Sequence, residues 1–61
     1  MKNGELRKIL KKTGCFVVRH GSNHDIWFSP ITKKQFAVPR HKNEIKLGTV
    51  KAIAREAGID L

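Results

Sequence analysis

Two of the three histidines in this chain, His20 and His24, stand on either side of Gly21-Ser22-Asn23, and the third, His41, directly follows Arg40. Imidazole titrates near neutral pH, so a histidine can take a proton in one step and return it in the next. If the chain performs chemistry, the stretch from Arg19 to Phe28 is where it belongs. Cys15, the only cysteine, has no base nearby in sequence and reads as a small packing residue. Asp25 and Glu44 are isolated carboxylates and form no acidic cluster that would hold magnesium, so any such activity is expected to survive chelation.

The histidines need a scaffold, and the runs around them supply one. Phe16 to His20 and His24 to Phe28 are rich in β-branched and aromatic residues, and the residues between them are turn formers, which together read as a β-hairpin. A three-residue loop sets His20 opposite His24, Val18 opposite Ile26 and Phe16 opposite Phe28. In that register Phe16, Val18, Ile26 and Phe28 form the inward face, with both histidines at its end. Val17, Arg19, Asp25 and Trp27 point outward, with Arg19 against Asp25.

Before the hairpin, Leu6, Ile9, Leu10 and Thr13 follow a helical spacing, with Asn3 as the expected cap and Gly14 as the stop. After it, Ser29 to Lys34 reads as a turn and Gln35 to Arg40 as a third strand, with Phe36 and Val38 inward and Pro39 marking a sheet edge. A five-residue turn pairs Phe28 with Phe36, Ile26 with Val38 and His24 with Arg40, which places His20, His24 and Arg40 on one face. A polar connection anchored by Ile45 leads to a second helix from about Leu47 or Gly48, with Val50, Ile53, Ala54 and Ala57 inward and Gly58 as its stop; Ile59 and Leu61 pack back as a tail. The expected fold is α+β, in the order α-β-β-β-α, with a three-stranded antiparallel sheet and both helices on one face.

Residues 1–61 make a single domain, too small to bury much more than about 60% of its unfolded surface. No apolar run approaches the roughly 20 residues that span a bilayer, which with the lone cysteine points to a cytoplasmic setting without membrane or cofactor. Thirteen Lys and Arg against five Asp and Glu give a formal charge of +8. Such a field attracts polyanions, nucleic acid foremost. Arg7, Lys8, Lys11 and Lys12 on the first helix serve either as a solvated face or as phosphate contacts.

In combination, Gly21-Ser22-Asn23-His24, Val38-Pro39-Arg40-His41, Glu44-Ile45-Lys46, Gly48-Thr49 and Ala57-Gly58-Ile59 resemble the HicA-type toxin family, in its order and spacing. The chain departs from the commoner pattern at Asn23, which intervenes between Gly-Ser and the histidine, and at Leu47, where many members have proline. The resemblance implies a domain similar to double-stranded-RNA-binding domains, acting as an mRNA interferase of a toxin–antitoxin pair and neutralised by a HicB-type antitoxin. It carries the family's functional histidine onto His24. Metal-free RNA cleavage requires a base for the 2′-hydroxyl, an acid for the leaving oxygen and cations for the phosphate. His24 is the principal catalytic candidate, with His20 as a possible second proton-transfer group and Arg40 as phosphate stabiliser. Lys8, Lys11, Lys12, Arg40, His41, Lys42 and Lys46 are the expected RNA contacts. His24 and the outward Trp27 are the expected antitoxin contacts, Trp27 alternatively stacking on a base. The competing reading is a double-stranded-RNA-binding-like module that catalyses nothing.

Overall fold

The computed structural model describes residues 1–61 and has the order α1 (Asn3–Lys12), β1 (Phe16–His20), β2 (His24–Ser29), β3 (Lys34–Pro39), α2 (Leu47–Ala57). The strands form one antiparallel sheet in the order β1-β2-β3. Leu6 and Leu10 of α1 and Val50, Ile53 and Ala57 of α2 share a core with Trp27, Phe36 and Val38, so both helices cover the same sheet face. Ile45 is buried and anchors the connection into α2, as expected, and Cys15 is packed in the same core. Ile59 packs against the core, whereas Leu61 is exposed.

The face assignment of β1 and β2 is the reverse of the one expected from sequence. Trp27, Asp25 and Ser29 point inward, while Phe16 and Val18 are exposed and Ile26 and Phe28 half-buried. The length of the β2–β3 turn explains the inversion, and the β1–β2 loop displaces only the end of β1. Between β2 and β3 the turn is Pro30 to Lys33, four residues rather than five, with Lys33 in the left-handed region, so Trp27 pairs with Phe36 and Asp25 with Val38. Phe36 and Val38 do face the helices, and a one-residue slip carries their new partners inward with them. At the other hairpin Gly21 N donates to His24 O at 2.8 Å, which aligns His20 with Asp25 and Arg19 with Ile26. A bulge at Val18 then absorbs one residue and returns the ladder to Val17–Trp27 and Phe16–Phe28, the pairs expected.

Asn3 does not cap α1: Lys2 occupies the cap position with no side-chain bond. The Asn3 amide is instead buried, donating to Pro39 O at 2.8 Å and Lys42 O at 2.7 Å, and so ties the helix to the exit of β3. The far end of the domain is closed by Ser29. Its fully buried Oγ donates to Ala57 O at 2.6 Å, and Thr32 Oγ1 donates to Glu56 O at 2.7 Å. Two carbonyls that α2 cannot satisfy internally are thus supplied from the β2–β3 turn. Gly58, at φ 76°, ends the helix in the left-handed conformation, and a Cβ there would stand 2.7 Å from Thr32 Cγ2.

Candidate active site

His24 opens β2 at the end of a turn whose every carbonyl is taken by the segment leaving β3. Arg40 Nη1 donates to Gly21 O at 2.6 Å, His41 Nε2 to Ser22 O at 3.2 Å and Arg40 N to Asn23 O at 3.0 Å. Because a carbonyl only accepts, His41 carries a proton on Nε2. Gly21 lies so close to the strand that a Cβ on it would stand 2.6 Å from His24 O. The turn and the Arg40-His41 dipeptide therefore form one rigid unit. Beside it opens a cleft of about 490 Å³ lined by Asn23, His24, Pro39, His41, Lys42 and Thr49. None of these is acidic. Thr49 belongs to the first turn of α2, whose N-terminus has no side-chain cap and brings the positive end of the helix to the cleft.

Underneath the unit sits Asp25, whose side chain is only 2% exposed. His20 Nδ1 donates to its Oδ1 at 2.9 Å, Arg40 Nε lies 3.3 Å from the same oxygen, and Arg7 Nη2 reaches Oδ2 at 3.1 Å. Arg7 itself donates from Nε to Asn3 Oδ1 at 2.9 Å. Burial alone would push the Asp25 carboxyl up. The His20 hydrogen bond, followed by the charges of Arg40 and Arg7, outweighs it and holds the carboxyl below its ordinary value. Three elements meet at this carboxylate: α1 through Arg7, β1 through His20 and the end of β3 through Arg40.

Sequence reasoning missed both Asp25 and Arg7 as parts of the site. The available signal was the phase of Asp25 with Trp27 and Ser29 along β2, because a carboxylate on a buried face demands cations.

The expected cluster of His20, His24 and Arg40 on one face is not what forms. His20 and Arg40 meet on Asp25, on the helix side of the sheet, whereas His24 alternates with it and shares the outer phase of Ile26 and Phe28. His24 pairs across the ladder with Pro39, not with Arg40. The companions the fold gives His24 are His41 and Lys42.

Lys8, Lys11 and Lys12 are exposed on α1, and Lys46, also exposed, occupies the cap position of α2. Trp27 is 1% exposed, with Nε1 unpartnered, and cannot serve as the outward antitoxin anchor or stacking platform expected of it. The cause is the reversed face of β2. No group of three or more His, Cys, Asp or Glu side chains gathers anywhere in the fold, and no helix is long and apolar enough to cross a membrane.

No curated protein and no solved structure matches the chain. A family model does: that of the HicA toxin of bacterial toxin–antitoxin systems matches residues 4–59. Its span takes in all of α1 but Asn3, all three strands, α2 and the rigid unit around His24, and on that match the chain belongs to the HicA toxin family.

Proposed function

We propose that this HicA-family chain is an endoribonuclease that cuts mRNA in the cytoplasm, that His24 transfers the proton that starts the reaction, and that a HicB-type antitoxin neutralises it. The observation that carries the reading is the state of the three histidines. The fold spends His20 on Asp25 and His41 Nε2 on Ser22 O, but no such bond engages His24, which is exposed at a cleft of basic and polar residues. An imidazole held ready without an internal partner is suited to bond a substrate.

In the proposed reaction His24 accepts the 2′-hydroxyl proton, the 2′ oxygen attacks the adjacent phosphorus, and the bond to the 5′ oxygen breaks. The products are a 2′,3′-cyclic phosphate and a 5′-hydroxyl. His41 shares the cleft, and its Nδ1, which the bond from Nε2 to Ser22 O leaves free, is the atom that would hand a proton to the leaving oxygen when the ring is imidazolium. Lys42 and the N-terminus of α2 offset charge on the phosphate. Arg40, engaged by Asp25 and Gly21 O, supports the turn instead of meeting the phosphate directly. Both proton steps run through imidazole and call for no metal ion. Lys8, Lys11, Lys12 and Lys46 extend the basic surface along which an RNA strand would lie.

The experiment compares wild type with His24→Ala on purified mRNA, with and without a chelator, alongside RNA affinity. The expected result is cleavage by the wild type that chelation does not reduce. His24→Ala should cut at least 100-fold more slowly and bind RNA within about threefold of wild type. Equal cleavage by both proteins would remove His24 from the chemistry. RNA binding without cleavage by either would make the chain a non-catalytic double-stranded-RNA-binding-like module.

A further inference from the structure

With both helices on one side of the sheet, the other side is bare, and it is not the polar surface that a solvent-facing antiparallel sheet normally presents. Phe16 is 51% exposed and Val18 45%, and Phe16 and Phe28 pack ring against ring at 5.5 Å. Ile26, half-buried, and Ala37, exposed, stand next to each other on the neighbouring strands. An apolar strip on so small a domain marks a binding surface. Its borders are cationic or polar: Arg19 opposite Ile26 and Gln35 opposite Phe28.

We propose that this uncovered sheet face is the surface on which the antitoxin docks, through an apolar patch on the partner flanked by an acidic side chain that meets Arg19 and a polar one that meets Gln35. The proposal rests on the chain's place in a toxin–antitoxin family, which requires a protein partner, and not on the nuclease reading. Charge selects among occupants. A second copy would bring +8 against +8, whereas an acidic protein gains from the same field. The strip has aromatic residues at its centre and charge at its rim, the layout of a protein interface. His24 lies in the same phase two residues from Ile26, so an occupant of the strip reaches the cleft without a conformational change.

The test titrates the antitoxin encoded with this gene against the wild type, Phe16→Glu, Val18→Glu and Leu47→Glu by calorimetry. Leu47, 69% exposed at the start of α2 and off the strip, controls for the loss of an apolar side chain and the added negative charge. Val18 sits at the bulge, outside the regular ladder, so its variant keeps the fold if Phe16→Glu does not.

Phe16→Glu and Val18→Glu should each weaken antitoxin binding at least tenfold with RNA cleavage unchanged, and Leu47→Glu should bind the antitoxin within threefold of wild type. Antitoxin affinity equal to wild type in both strip variants would overturn the proposal. So would wild-type dimers that Phe16→Glu dissociates while antitoxin binding persists, or a loss of RNA binding in place of antitoxin binding. A wild type with no affinity for the antitoxin would overturn it as well. A wild type that binds antitoxin but cuts no RNA would count only against the nuclease reading.

Discussion

Asp25 decides how the site is held. Its carboxylate is enclosed by three cationic or protonated groups, each of which remains partly open to water, with side-chain exposures of 30%, 68% and 37% for Arg7, His20 and Arg40. Replacing it by asparagine leaves those groups facing each other around a neutral amide. The expected loss is about 2–3 kcal/mol, below the range for a fully buried pair because solvent screens the partners, and urea denaturation at pH 7 measures it.

The pH dependence follows from the direction of the shift. The folded carboxyl titrates below its ordinary value of 3.8, so folding favours the ionised form. The contribution is complete above the unfolded value and disappears as pH falls through the lower folded one. Wild-type urea midpoints should therefore hold from pH 7 to about 5 and drop below about 4, whereas Asp25→Asn lacks this component of the acid loss. An identical acid profile in the variant would count against the ion network as its source.

Among the elements, the β1–β2 turn carries the most functional consequence. Gly21 is there because of a close approach to His24 O, not because of an unusual φ. In Gly21→Ala the turn must shift away from the His24 carbonyl, and the bonds from Arg40 and His41 go with it. A cost of about 1–3 kcal/mol is expected, with cleavage falling more than tenfold in a protein that still binds RNA. Thermal denaturation and a cleavage assay on the same preparation separate the two effects.

The elements were legible in the sequence in kind and order. Helical spacing marked both α1 and α2, and Gly58 the stop of α2. Which face of the hairpin turned inward was not legible, because both are apolar: Phe16, Ile26 and Phe28 on one, Val17 and Trp27 on the other. Parity then hung on the length of the β2–β3 turn, and the placement of His20 on the β1–β2 loop and the bulge, each a matter of a single residue. The site was legible in the same measure. His24 was singled out by the family resemblance, and Arg40 by the strand register, but the grouping of His20 with Arg40 on Asp25 depends on that parity. Arg7 enters only through the packing of α1 over the inward side.

For the molecule as a whole, the excess of positive charge should govern encounter with RNA more than any single contact. If Lys8, Lys11, Lys12, Lys42 and Lys46 each meet a phosphate of a single strand, the logarithm of affinity should fall against the logarithm of salt with a slope of roughly −3.5. That amounts to a loss of about two orders of magnitude between 50 and 200 mM salt, measurable by fluorescence anisotropy of a labelled RNA. A slope near zero would remove the basic surface from RNA recognition. Lys42→Ala should reduce the slope by a little under one unit.

The sheet also has two unpaired edges, and they are protected differently. β3 ends in Pro39, which offers no N–H, while β1 carries the bulge at Val18 that breaks a flat pairing template. The burial of Trp27 gives the protein an optical property of its own. It is the only tryptophan, the chain has no tyrosine, and the indole sits 1% exposed among core side chains with its N–H unpartnered. Its emission should lie toward the blue in the native state and move to the red only when the core opens. A ligand settling on the opposite side of the sheet stays out of contact with the indole, so this single fluorophore reports unfolding while remaining nearly blind to docking.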